Sequence, residues 1–156
     1  MTKWLQWTAP VLALASIASP AYATQYVDIS EAQKRAFPAA TRFVEQGGRV
    51  WKAQAGDRVL GLFVVDHVVG KHLYIDYAVA LDPGGRVQRV DILQYRESYG
   101  GEVRDSSWLS QFVGKSSASP LKVGQDIRNI SGATMSSHHV TEGVKRIVSA
   151  YGNRVR

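Results

Sequence analysis

The sequence predicts an α+β fold, an antiparallel sheet with flanking helices, in a single domain. Two observations predict it. Between Thr41 and Tyr95, short runs of β-branched and aromatic residues alternate with Gly-rich turns, too closely spaced for crossover helices. On either side the apolar spacing becomes helical, with Ala32, Ala36 and Phe37 before that stretch and Val140, Val144, Ile147, Val148 and Tyr151 after it.

In chain order, Val27-Asp28-Ile29 is extended and leads into a first helix. Ser30 is its expected N-cap, Gln33 the capping-box partner and Pro38 its terminator. Thr41–Val44 and Val50–Ala53 read as strands joined at Gly47-Gly48. Gly56-Asp57 turns the chain into Val59–Val69, a β-branched run expected to be a buried strand. Gly70-Lys71 returns it through Leu73–Leu81, and Pro83-Gly84-Gly85 is the clearest hairpin signal before Val87–Tyr95. A loop from Tyr95 to Arg104 follows, then a short helix near Ser107–Val113. Gly114–Pro120 is read as a flexible connection, and Leu121–Ile127 as a strand or turn. Asp66, Asp76, Asp82 and Asp91 lie among these strands and turns and are expected to be solvated.

The first residues do not read as part of the domain. Lys3 precedes an apolar run from Thr8 to Ile17, and Ala21-Tyr22-Ala23 supplies a small-x-small cleavage pattern. The expectation is a signal peptide, residues 1–23, cut after Ala23 to leave a domain of residues 24–156 exported to the periplasm. The run carries Pro10 and Pro20 and falls short of the ~20 residues that span a bilayer. There is no cysteine, hence no disulfide, thiolate metal site or haem attachment. Net charge is +6, or +5 once Lys3 leaves with the leader, and the basic residues are scattered rather than blocked. That argues against nucleic acid and for an anionic cofactor, a membrane surface or an acidic redox partner.

The segment on which function turns is Asn129-Ile130-Ser131-Gly132-Ala133-Thr134-Met135-Ser136-Ser137, a hydroxyl-rich turn delivering the chain into the last helix. Ser136 or Ser137 is its expected N-cap. Gly132 allows a sharp bend, and the free N–H groups of the helix start favour a phosphate. Taken alone, this is also ordinary capping chemistry.

Ser131-Gly132-Ala133-Thr134 resembles the S/T-G-A-T motif of the FMN-binding domain family, which includes flavoprotein subunits of sodium-pumping quinone reductases and Rnf complexes. The resemblance runs in order from Gly56 to Tyr151. It takes in a strand pair, the Gly-rich Tyr95–Gly101 loop with Glu97, an aromatic turn with Trp108, the motif and a closing helix. One departure is Arg128, which stands six residues before Thr134 where many modified members carry Asp; Asp126 lies two residues further upstream.

The resemblance implies FMN bound through its phosphate at Thr134 by a phosphodiester that a flavin transferase forms. Ser131, Gly132 and Ala133 would shape the phosphate turn. Glu97, Tyr99, Gly100 and Gly101 would form a second wall, with Tyr99 or Tyr95 stacked on the flavin ring. His138 would contact the phosphate or ring. Trp108 and Phe112, at helical spacing, are read as core. His138-His139 point apart on a helix, and no metal site is expected. The implied function is an exported electron carrier, not a stand-alone enzyme, whose partner is a membrane-bound reductase or quinone-linked complex. The competing readings are a non-redox module that binds FMN or another phosphate ligand without a bond, and a cofactor-free structural adaptor.

Overall fold

The chain builds a six-stranded antiparallel sheet with a helix on each face. The structure, a computed structural model, describes residues 24–155. The expected leader, residues 1–23, lies outside the described residues. The strands are β1 (Thr24–Gln25), β2 (Arg42–Gly47), β3 (Val50–Ala55), β4 (Arg58–Val69), β5 (Tyr74–Leu81) and β6 (Val87–Tyr95), in the order β1-β6-β5-β4-β3-β2. This is the α+β arrangement that the strand spacing predicts.

Successive side chains of β4 and β5 point to opposite faces, and both faces are covered. Leu62, Val64, Tyr77, Val79 and Leu81 face one core, while Phe63, Val65, Ala78 and Ala80 face the other. Burial on both sides explains why these two central strands read as nearly continuous apolar runs.

The second face mixes Ala53, Ala78 and Ala80 with Phe63, Val65 and Leu93, and α1 (Ile29–Ala36) lies on it through Ala32 and Ala36. Its N-cap is Asp28 rather than the expected Ser30. The Asp28 carboxylate accepts the Glu31 N–H at 2.8 Å, and Ser30 Oγ donates to the same oxygen at 2.8 Å. A carboxylate at the positive helix end outcompetes the hydroxyl beside it.

The first face carries α3 (Thr134–Tyr151), an 18-residue helix whose Val140, Val144, Ile147 and Val148 are all buried. Each such burial is worth about 1.5–3 kcal/mol. Gly143 faces Tyr77 so closely that a Cβ there would lie 2.3 Å from the Tyr77 hydroxyl and 2.9 Å from Val68. Arg146 then reaches from α3 to Asp66 on β4 at 2.7 Å, and the Tyr77 hydroxyl donates to the same carboxylate at 3.4 Å.

Between β6 and α3 the chain forms a 3-10 turn (Gly101–Arg104), α2 (Ser106–Leu109) and another 3-10 turn (Ser110–Phe112), in place of one continuous short helix. Trp108 and Phe112 are buried edge-to-face in the α3 core, as their spacing predicts. The Gly114–Pro120 connection is tied back to the sheet by Gly114 N–H to Val87 C=O and Val87 N–H to Lys115 C=O, both 2.8 Å. Leu121–Ile127 closes as a turn with a Val123–Ile127 bridge.

The four acids expected to be solvated are all engaged. Asp66 pairs with Arg146, Asp76 with Arg96 and the buried Asp91 with Arg89, while Asp82 accepts the Gly84 and Arg86 N–H groups. Arg96 reaches Asp76 across the β5–β6 pair and Arg146 reaches Asp66 from α3, which local sequence does not display, while Arg89 is only two residues from Asp91 on the same strand. Among the described residues no helix is long and apolar enough to cross a membrane.

Candidate functional site

The first turn of α3 opens on a cleft of about 480 Å³ at one end of the sheet. Its lining comes from three segments that are remote in sequence. The motif supplies Gly132–Ser136, the loop after β6 supplies Glu97–Gly100, and the β4–β5 turn supplies Lys71 and His72. The register explains the meeting, because Ile75 pairs with Tyr95 and sets the start of β5 beside the end of β6.

The motif turn is held by the core beneath it. Trp108 Nε1–H donates to the Arg128 carbonyl at 2.8 Å, and Gln111 Oε1 accepts the Arg128 N–H at 2.8 Å. Gly132 follows in the left-handed region at φ 83°, which a glycine adopts without strain. Ala133 is buried and is the N-cap of α3, with no side-chain capping bond. The helix therefore starts at Thr134, and neither Ser136 nor Ser137 caps it. Both serines are buried in the first turn, where Ser137 Oγ reaches Asn129 Oδ1 and the Thr134 carbonyl, each at 3.0 Å. An uncapped start leaves the Thr134, Met135 and Ser136 N–H groups with no partner in their own helix, beside the cleft and at the positive dipole end.

Glu97 closes the opposite side. Its carboxylate accepts the backbone N–H groups of His72 and, at 2.8 Å, Leu73, which fixes the β4–β5 turn. Partial burial works to raise its pKa, but those N–H groups together with that of Lys71 outweigh it and hold the carboxyl below the usual glutamate range. Gly100, at φ 81°, touches the motif; a Cβ there would sit 2.9 Å from the Tyr95 hydroxyl and 3.0 Å from the Ala133 Cβ. His139, one turn into α3, ties the same region together through Nδ1 with the carbonyls of Val69 at 2.6 Å and Gly70 at 3.1 Å.

Of the residues singled out in the sequence, Thr134, Gly132, Ala133, Glu97, Tyr99 and Gly100 line this cleft together. Ser131, Gly101 and His138 do not; Ser131 and His138 are exposed, and Gly101 lines an adjoining hollow with Glu102 and Arg104. Tyr95 is a core residue whose hydroxyl donates to the Tyr99 carbonyl, so it holds the loop rather than stacking on a ligand. Tyr99 stands at the rim, 86% exposed. Lys71, His72, Ser98, Met135 and Ser136 line the cleft as well, and the sequence does not mark them as lining residues. Asp126 is occupied elsewhere, accepting the N–H groups of Leu121 at 3.1 Å and Lys122 at 2.8 Å and pairing with Lys115 at 3.1 Å. Among the described residues no group of three or more His, Asp or Glu side chains converges as a metal site.

The cleft suits a ligand with an anionic end and a flat body. The anion would meet the helix start and Lys71, and the body would meet Ala133, Met135 and the Gly100 backbone. Comparison with known proteins agrees. The crystal structure of NqrC from Shewanella oneidensis matches with a TM-score of 0.54 at 17% identity, over 83% of this chain and 77% of that one, a likeness of fold. No curated protein matches the sequence. The FMN-binding domain profile matches residues 70–149, just over half the chain and the span that contributes all three walls of the cleft, and the protein belongs to the FMN-binding domain family.

Proposed function

We propose that this is an exported, FMN-carrying electron-transfer domain in which the flavin is attached through its phosphate to Thr134. One observation carries the reading. Thr134 is exposed at the first position of a helix with no capping side chain, on the wall of a cleft faced by Glu97, Tyr99 and Gly100. The Thr134 hydroxyl is open to an enzyme, and the first-turn N–H groups lie where a phosphate would need them. A bound flavin supplies one- or two-electron chemistry; the protein fixes its place and exposure.

Cleavage after Ala23 would release the domain into the periplasm, and a membrane-bound reductase or quinone-linked complex would exchange electrons with it. A tether suits that compartment, because a flavin lost outside the cytoplasm would not be replaced.

The test is flavin fluorescence of the denatured protein on a gel, after export from a host that expresses a flavin transferase. A fluorescent band that Thr134→Ala abolishes supports the reading. A dark band from a yellow native protein favours non-covalent binding. Asp126 lends that alternative weight, since its carboxylate is already taken up by Leu121, Lys122 and Lys115. A colourless protein overturns both.

A further inference from the structure

We propose that Asn129 is the residue that positions the Thr134 hydroxyl for phosphodiester formation, an inference that rests on the attachment reading above. Asn129 Nδ2–H donates to Thr134 Oγ1 at 3.4 Å, and Asn129 Oδ1 accepts the Ser137 hydroxyl at 3.0 Å. Ser137 is fully buried, so the amide oxygen is held toward the protein and the amide N–H toward Thr134. The residue before Asn129 is pinned at its C=O by Trp108 and at its N–H by Gln111. The donor therefore stands on backbone fixed by the core.

A hydroxyl oxygen has two lone pairs and one proton. An amide N–H on one lone pair restricts the direction of the other and of the proton, on a side chain that is exposed and lines the cleft. In the transfer, Thr134 Oγ forms a bond to the FMN-side phosphorus of FAD. The bond from that phosphorus to the AMP oxygen breaks, AMP departs with the electron pair, and the hydroxyl proton passes to the transferase. The resulting ester oxygen has no proton and can only accept, and the diester beside it carries a negative charge. An amide donor suits the residue before and after the reaction. A carboxylate at this position would meet an anion.

The test uses the full chain produced without transferase, then given flavin transferase, FAD and Mg²⁺, with the rate of in-gel fluorescence recorded. Asn129→Ala is expected to slow labelling by about tenfold or more, the scale of losing one orienting contact to a reacting atom, with the thermal midpoint nearly unchanged. Because Thr is stiff at χ1 and Ser is not, the same change should cost more in a Thr134→Ser background, a coupling that a purely structural role would not produce. Asn129→Asp should be slower than Asn129→Ala, increasingly so as pH rises and the new carboxyl ionises. In the unmodified protein, Thr134→Val should shift the side-chain amide NMR resonances of Asn129. Labelling of Asn129→Ala within about twofold of wild type, or Asn129→Asp faster than wild type, overturns the inference while attachment stands. A wild type that stays dark, or a Thr134→Ala variant that still labels, overturns attachment and the inference with it.

Discussion

One wall of the cleft, the turn from Arg128 to Thr134, hangs on the hydrogen bonds that Trp108 and Gln111 make to the Arg128 backbone. The facing wall, the β4–β5 turn, is held by the Glu97 carboxylate together with its own Gly70 N–H to Leu73 C=O bond of 2.7 Å and the His139 ring on the Val69 and Gly70 carbonyls. The first wall is bolted to the core by side chains that do not titrate. The second stands near solvent and loses the Glu97 tie when that acid is protonated. The difference separates a wall that must keep Thr134 in place from one that can yield around a ligand.

The sharpest way to break the comparison is Trp108→Ala. It opens a cavity in the α3 core and strands the Arg128 carbonyl, and a loss of about 3–5 kcal/mol in urea unfolding is expected. Gly100→Ala strikes where the walls touch. The side chain would press on the Tyr95 hydroxyl and Ala133 from a left-handed backbone, costing about 1–3 kcal/mol and lowering FMN affinity in a fluorescence titration. Glu97→Gln should cost less, about 1 kcal/mol, because the group lies close to water.

Its pH signature is more telling. The Glu97 pKa is lower in the folded protein than in the unfolded chain, so its contribution is present above the unfolded value, about 4.3, and is lost as pH falls through the folded one. Acid titration of stability should therefore be shallower in Glu97→Gln than in wild type below about pH 4. Smallest of all, Thr134→Ala should change stability by no more than about 0.5 kcal/mol, since the residue is exposed, while removing the hydroxyl proposed above as the attachment point. A large thermal shift in that variant would mean that the motif serves the fold first.

Much of this was legible in the sequence. The β-branched runs and Gly turns placed five strands, and the α3 spacing placed the buried helix face. The S-G-A-T turn and the Gly-rich loop named six of the residues that meet in the cleft. What escaped was long-range. Glu97 reads as a candidate wall residue, but its partners at His72 and Leu73 appear only when Ile75 is paired with Tyr95. The same pairing hid the role of Lys71, which in sequence is merely a turn residue. The start of α3 was placed too late because Thr134, Met135 and Ser136 carry no apolar periodicity, and serines favour caps as readily as first turns.

The contact at Gly143 has a mechanical consequence. It sets the height of α3 above the sheet, with the Tyr77 ring as the stop, at a point about 13 Å along the axis from Thr134 at 1.5 Å per residue. That contact is a fulcrum. A methyl group added there would lift or tilt the rod and swing its far end away from Gly100, so the gap that a flavin would fill is gauged by a residue that touches no part of it.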